Sequence, residues 1–119
     1  MNKTELGRLG EILAVEYLIS HHYQVIDQNF HSIYGEIDIV AIKKNKIHFV
    51  EVKARKNISF GLPIDSYSQQ KQQKIIKTAF IYIQEKKMGM TFQFDFVGIL
   101  LDQDNQLKSL EMIENALYD

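Results

Sequence analysis

The sequence GEIDIVAIKKNKIHFVEVKAR, residues 35–55, is the most informative part of the chain. It contains two runs rich in β-branched residues, 36–42 and 47–54, separated by the polar residues KKNK. Such runs on either side of a short polar turn are typical of an antiparallel β-hairpin. Both faces of this hairpin are largely apolar, so we expect an interior position in a sheet that is covered on both sides.

Helical patterns lie on both sides of this hairpin. Asn2 and Glu5 resemble a capping box, and the apolar spacing that follows predicts a helix over 3–20. A second apolar stripe predicts a long helix from about 65 to 87, which we expect Gly89 to end. Outside the central hairpin, the predicted strands are 23–27, with a short hairpin partner near 30–34, and 92–101. A turn at 102–105 and a short terminal strand or helix follow. The predicted order is αβββαβ, an α/β sandwich around a mixed sheet.

Composition narrows the classes of protein that fit. The 119 residues correspond to one domain, 1–119, which is large enough to bury its own core. The absence of cysteine excludes disulfides, cysteine-ligated zinc, iron–sulfur clusters and thiol catalysis. A formal net charge of −1 excludes a global polycation, so any surface for nucleic acid must be local.

The hydropathy pattern predicts no membrane association. No apolar run approaches the roughly 20 residues that a transmembrane helix needs. Residues 1–5 are polar, and Glu5, Arg8 and Glu11 interrupt the region where a signal peptide would be apolar. We therefore expect a cytoplasmic protein.

Carboxylates are concentrated at one end of the hairpin. With residues 44–45 at the centre of the turn, Asp38 lies opposite Glu51, and Glu36 lies opposite Lys53. Facing carboxylates repel one another, and partial burial increases the repulsion. A hard divalent cation held by oxygen ligands removes this conflict. Two interpretations remain open from the spacing alone: a metal site, or a salt-bridged hairpin at a sheet edge.

Two further side chains can reach the same place. Lys53 lies on the same face as the carboxylates, where it can orient an attacking water or stabilise phosphoryl charge. Glu11 shares a helix face with the small residue Gly7, which suits close approach to a sheet, so we expect Glu11 to point inward. The alternative for Glu11 is a surface salt bridge with Arg8 or Lys3.

An ordered set of motifs makes the chain recognisable. It resembles the YraN family, small bacterial proteins placed in the restriction-endonuclease-like PD-(D/E)XK superfamily near archaeal Holliday junction resolvases. The resemblance extends from residue 7 to about residue 99. The matching motifs are Gly7–Glu11, Asn29-Phe30, Gly35–Asp38, Phe49–Arg55, Gly61, Lys71 and Phe94-Asp95.

The resemblance implies a restriction-endonuclease-like αβββαβ core and a Mg²⁺-dependent DNA endonuclease, with Mn²⁺ as a possible substitute. It implies that Asp38, Glu51 and the backbone carbonyl of Val52 hold the metal. It also implies that Lys53 lies near the attacking water, and that Glu11 belongs to the catalytic acidic cluster as an outer or second metal contact. The supporting positions are Gly35 and Glu36.

The chain departs from the family pattern at two places. The proline–aspartate signature of the superfamily is Ile37-Asp38 here, which retains the aspartate. Many family members have arginine where this chain has Gln93. The second departure puts a phosphate or salt-bridge contact in doubt, but not the metal centre.

Basic residues follow the hairpin. Lysines recur at i, i+3 and i+6 spacing on the predicted long helix, which is typical either of a phosphate-binding surface or of a solvated helix face. Lys71 is the position that we expect to overhang the site. The candidate nucleic-acid contacts are Arg55, Lys56, Lys71 and Lys74. Asp95 alternates with three phenylalanines, so we expect it to point away from their core and to have a structural partner.

Three hypotheses about function follow. The first is a nuclease that acts on branched or single-stranded DNA, as a homodimer if the resemblance to junction resolvases extends to assembly. The second is a catalytically inactive nucleic-acid-binding or partner-docking module that retains the fold. The third is a structural protein whose acidic patch binds calcium or a basic partner.

Overall fold

A computed structural model describes residues 1–117 as two helices and a five-stranded sheet. The elements are α1 (Lys3–Ser20), β1 (Gln24–His31), β2 (Glu36–Lys43), β3 (Lys46–Arg55), a 3₁₀ turn (Pro63–Ser66), α2 (Gln69–Lys86), β4 (Thr91–Leu101) and β5 (Leu107–Ile113). The strands lie in the order β1-β2-β3-β4-β5, with β3 and β4 parallel and the other neighbours antiparallel. This mixed α/β fold is compatible with a restriction-endonuclease-like core and confirms the predicted fold class.

The central hairpin forms as its sequence predicts. Lys44 and Asn45 have φ angles of 52° and 60°, as expected for a type I′ turn, whose twist matches that of the flanking strands. The predicted register is observed from the turn as far as the pair Ile39 and Val50. The ladder ends at this pair.

The first strand corrects the sequence-based boundaries. The two segments 23–27 and 30–34 were expected to pair with each other, but residues 24–31 form one strand that pairs with β2 throughout. The register shifts between Val25 and Asp27, which absorbs an extra residue. Ser32 begins a turn in which its N–H donates to Gly35 O over 2.8 Å. Strand β1 is therefore an edge strand that pairs with β2 of the central hairpin, and it does not form a separate hairpin of its own.

The second helix is also shorter than the predicted 65–87. A 3₁₀ turn with Pro63 at its start precedes it, and the Ser68 side chain then caps α2 by accepting a backbone N–H. Lys87 adopts the left-handed conformation, with φ of 51°, and ends the helix before Gly89.

Two apolar cores lie on opposite faces of the sheet. The α1 side contains Ala14, Leu18, Ile39, Ala41, Val50, Ala54, Val97, Ile99 and Leu101, whereas the α2 side contains Ile37, Val40, Ile47, Phe49, Ile75, Ala79, Tyr82, Phe94 and Phe96. Strand alternation predicts that Ile37 shares a face with Ile39, but Ile37 packs on the α2 side. This change of side occurs just beyond the end of the β2–β3 ladder, at a point where β2 remains paired with β1 through Ile37 and Phe30.

The close contact between α1 and β3 positions the helix over the end of the hairpin. A Cβ atom on Gly10 would lie 2.8 Å from the Cβ of Ala54, so only glycine permits the observed separation. Glu11, the next residue, is thereby directed at the β2 end of the sheet. No helix within residues 1–117 has the length and hydropathy needed to cross a membrane.

Candidate active site

Strands β2 and β3 separate at one end, and this opening forms the candidate site. Beyond the last ladder pair, Asp38 Oδ2 accepts a hydrogen bond from the Val52 backbone N–H over 2.8 Å. The Asp38 carboxylate thus takes the place of a backbone carbonyl of β2 as the acceptor for this N–H. The opening lies at the base of a cleft of about 660 Å³ that is lined by residues of α1, β2, β3 and α2. The end of the ladder therefore places Asp38 at the floor of a cleft.

Three carboxylates gather beside this opening. Glu11 from α1 and Glu36 and Asp38 from β2 each place one oxygen within 4.8 Å of the others. The Asn29 Nδ2 group donates to Glu11 Oε1 over 2.7 Å and to Glu36 Oε1 over 2.8 Å. A single amide thus holds two acidic side chains together, and Glu11 takes this partner instead of a surface salt bridge. Glu36, expected only in a supporting position, belongs to the acidic cluster itself.

Asn29 is a functional candidate whose role the sequence did not reveal. It lies within β1 with a φ angle of 53°, in the left-handed region that asparagine tolerates better than most residues. With the backbone in this conformation, the Asn29 side chain contacts both Glu11 and Glu36. The sequence places Asn29 only within a family motif, because its partner Glu11 lies 18 residues earlier in the chain and no local pattern connects the two.

Glu51 and Lys53 extend the site along β3. Burial, together with the neighbouring Asp38 carboxylate, raises the pKa of Glu51 well above its ordinary value, whereas the Lys71 ammonium opposes this shift. Burial also lowers the pKa of the Lys53 ammonium, and the positive charges of Lys71 and Arg55 add to that effect. A carboxyl group with a raised pKa close to an ammonium group with a lowered pKa is typical of a functional site.

The donor set fits a hard divalent cation. Burial raises the pKa of Glu11, and the carboxylates of Asp38 and Glu36 raise it further, against the effect of the bond from Asn29. Part of this raised pKa comes from repulsion between neighbouring carboxylates. A bound divalent cation would relieve that repulsion, because it favours the ionised form of each carboxylate. All the available donors are oxygens, which suits Mg²⁺, Mn²⁺ or Ca²⁺.

A basic rim surrounds the acidic floor. Six of the fourteen lysines and arginines line the cleft: Lys3, Lys53, Arg55, Lys56, Lys71 and Lys74. Within the part of the chain that the structure describes, the buried Nε of Arg55 has no hydrogen-bond partner. The cleft thus has positive charge around a negative centre, although the whole chain is close to neutral.

The structure brings the predicted site residues together. The predicted nucleic-acid contacts Arg55, Lys56, Lys71 and Lys74 all line the cleft, as do Gly35, Glu36, Asp38, Glu51, Val52 and Lys53. Glu11 joins them through the acidic cluster. The proximity of these residues is observed, whereas the chemical role of each one stays a prediction.

A second polar cluster lies on the α1 side of the sheet. His48 Nδ1 lies 2.6 Å from Asp95 Oδ2, and an oxygen of Glu114 lies within 4.8 Å of both side chains. Asp95 Oδ1 also accepts the Gln93 amide over 2.8 Å and the Asn115 backbone N–H over 3.0 Å. Asp95 therefore has the structural partners expected of it, and it fastens the segment after β5 to the sheet. The histidine spacing in the sequence did not indicate this cluster, because parallel pairing of β3 with β4 creates it.

Comparison with known proteins identifies the family of this chain. Residues 10–99 match the profile of the uncharacterised protein family UPF0102. A UPF0102 protein of Dictyoglomus turgidum is 40% identical over 117 residues, which cover 98% of this chain and 99% of the relative. UPF0102 proteins of Caldicellulosiruptor bescii and Clostridium botulinum are 42% identical over 118 residues and 39% identical over 114 residues. These two alignments cover 98% and 94% of this chain, and 99% and 93% of the respective relatives. The chain therefore belongs to the UPF0102 family, the family that its YraN-like motifs indicate.

Proposed function

We propose that this protein is a Mg²⁺-dependent endonuclease that hydrolyses phosphodiester bonds in branched or single-stranded DNA. The observation that carries the proposal is the acidic cluster of Glu11, Glu36 and Asp38, adjoined by Glu51 and Lys53, at the floor of a basic cleft. An acidic centre repels a polyanion unless a cation is bound at that centre. The basic rim, in contrast, attracts a polyanion. Both features are accounted for by a metal-assisted reaction on a phosphate backbone.

The metal ligands in this proposal are Asp38, Glu51 and the carbonyl of Val52, with Mn²⁺ as a substitute for Mg²⁺. Glu11 and Glu36 supply further carboxylate oxygens, which Asn29 keeps in place. When bound, the cation supplies Lewis acidity and lowers the pKa of water. The raised pKa values of Glu11 and Glu51 support this assignment, because both side chains gain from a neighbouring positive charge.

The protein's own cations act on the phosphate. Lys53 Nζ, with a lowered pKa, can hold or release a proton next to the attacking water and can offset charge that develops on the phosphoryl oxygens. The guanidinium of Arg55, which lines the cleft, offers donors to a phosphate oxygen. Lys71, whose charge already acts on both Glu51 and Lys53, lies within reach of the same phosphate.

The test is cleavage of labelled single-stranded, duplex, flap and four-way-junction DNA with Mg²⁺ or Mn²⁺. Glu51→Gln and Lys53→Ala should each lower the rate by on the order of 10²–10³-fold, because each removes a group that acts in the transition state. Lys108→Ala is the matched control, since Lys108 is exposed on β5, outside the cleft. Equal cleavage by all three variants would identify a contaminating nuclease and contradict the proposal.

A second candidate function is a nucleic-acid-binding module that retains the nuclease fold. The basic rim favours it, because phosphate binding by these side chains needs no metal. Tight DNA binding without cleavage in either metal would support this module. Dimer formation stays a prediction, and light scattering with and without junction DNA tests it.

A further inference from the structure

Phe60 projects from the loop between β3 and the 3₁₀ turn and lines the cleft. Its side chain is 89% exposed, although phenylalanine is ordinarily among the buried residues. The same loop also exposes Ile58 and Leu62, at 57% and 48%. An apolar ring at the edge of a strongly charged cleft is available to a ligand rather than to the core.

The loop holds Phe60 in this exposed position. The Gly61 N–H donates to Ile58 O over 3.0 Å, and the Leu62 N–H donates to Asp65 Oδ2 over 2.8 Å. Gly61 has a φ angle of +111°, and a Cβ atom there would lie 2.8 Å from Asp65 Oδ2. These contacts close the loop on both sides of Phe60, so the ring is presented to the cleft by a defined backbone.

The surroundings of Phe60 indicate what it would contact. Arg55 ends β3 and Lys56 begins the loop that carries Phe60, and Lys71 and Lys74 of α2 line the same cleft. An aromatic ring among phosphate-binding cations is the usual composition of a surface for single-stranded nucleic acid, where the rings stack on bases and the cations hold the backbone. Inside a duplex each base face is covered by its neighbours, and inserting a ring between them costs unstacking energy, so a ring at this place favours an unpaired base.

We propose that Phe60 is a stacking platform for an unpaired base of a nucleic-acid strand bound in the cleft. The substrate class is therefore nucleic acid with a single-stranded segment beside the phosphate that the acidic centre faces. As a statement about cleavage this rests on the proposed nuclease function. As a statement about binding it stands on the exposure, the loop contacts and the charges given above.

The chain contains no tryptophan, so Phe60→Trp creates a single fluorescent reporter at the proposed platform. Stacking of a base on the indole ring should quench its emission. Phe80→Trp is the matched control, because Phe80 is 54% exposed on α2 but outside the residues that line the cleft. The probes are an oligothymidine, an abasic strand of the same length and charge, an oligouridine, and a duplex. Ca²⁺ is present to occupy the carboxylates, and a gel verifies that the strands stay intact.

We expect the oligothymidine to quench Phe60→Trp but not Phe80→Trp, and the abasic strand and the duplex to quench neither. Phe60→Ala should weaken oligothymidine binding about 5- to 100-fold and leave abasic-strand binding unchanged, whereas Phe60→Tyr should retain the affinity. Quenching by oligothymidine and oligouridine alike would extend the site to RNA, because both carry unpaired bases.

Three results would overturn the proposal. One is equal affinity for the abasic and base-bearing strands, and another is quenching by the duplex. The third is a dimer, seen by light scattering, that Phe60→Ala converts to a monomer, because Phe60 would then contact a second copy of this chain. Cleavage without quenching would reject the platform and keep the nuclease, whereas quenching without cleavage would keep the platform and favour the binding module.

Discussion

Asn29 connects the two elements that supply the acidic cluster. Its amide donates to Glu11 on α1 and to Glu36 on β2, and its positive φ angle places it where both are within reach. Both interactions join neutral donors to acidic acceptors, which makes them stronger than bonds between neutral groups. Asn29 therefore holds the carboxylates of Glu11 and Glu36 in position relative to each other.

Replacing Asn29 separates its two contributions. Asn29→Ala should weaken Mg²⁺ binding about 10- to 100-fold, as loss of a group that orients metal ligands does, and should also lower stability because alanine disfavours the positive φ. Asn29→Gly tolerates that φ, so it should recover much of the stability but not the metal affinity. Titration calorimetry with Mg²⁺ and thermal unfolding measure the two effects. Full Mg²⁺ affinity in Asn29→Gly would show that the amide has no positioning role.

At the scale of elements, the approach of α1 to β3 determines where Glu11 lies. The two glycines of α1 differ in what surrounds them. A Cβ on Gly10 would meet Ala54 at 2.8 Å, whereas a Cβ on Gly7 would meet nothing within 4 Å. The pair provides an internal comparison between a packing requirement and helix propensity.

We expect Gly10→Ala to destabilise the protein by about 1–3 kcal/mol, because the methyl group overpacks the contact with Ala54. Gly7→Ala should instead be neutral or stabilising by about 0.5–1 kcal/mol, as for glycine in a helix. Urea denaturation measures both changes. The double variant Gly10→Ala, Ala54→Gly should recover part of the loss, and independent, additive effects would contradict direct contact.

Some ends of helices and strands could be predicted from neighbouring residues in the sequence, and others could not. The capping box of α1, the hairpin turn and the register from the turn to Ile39 and Val50 were confirmed, because each depends on residues close together in sequence. The predicted pairs of Asp38 with Glu51 and of Glu36 with Lys53 lie beyond the observed ladder. The start of α2 and the division of β1 were wrong. Pro63 and Ser68 divide the predicted long helix into a 3₁₀ turn and an α-helix, and continuous pairing with β2 makes one strand from two segments.

At the scale of the whole molecule, the acidic centre affects stability as well as function. Burial raises the pKa values of Glu11 and Glu51 above 4.5, so the folded chain holds protons that the unfolded chain releases. The stabilisation that comes from holding these protons is fully present below about pH 4.5, the ordinary pKa of a glutamate. It is lost as the pH rises through the raised pKa values of the folded chain. In EDTA this contribution decreases from mildly acidic towards alkaline pH.

Glu51→Gln should therefore be more stable than the wild type at neutral and alkaline pH in EDTA, with a flatter pH dependence. The effect arises because glutamine needs no proton in order to be neutral, and it is at most about 1.4 kcal/mol per pH unit. Thermal unfolding at several pH values measures it, with Glu85→Gln on the exposed surface of α2 as the control. Parallel pH profiles for Glu51→Gln and the wild type would contradict the raised pKa. Mg²⁺ should flatten the wild-type profile, because the cation stabilises ionised carboxylates.

The sequence by itself determined the order of elements, the hairpin register and the set of residues from Asp38 to Lys53 that lies at one end of it. Turn geometry, strand alternation and helix capping act over a few residues, so they can be predicted from sequence. Only the tertiary structure decided that Asn29 joins two glutamates, that β2 and β3 separate at Asp38, and that His48 meets Asp95. The shifted pKa values likewise appear only when both helices remove water from the site. These features depend on distances between residues far apart in the chain and on burial, which exist only after the core has closed.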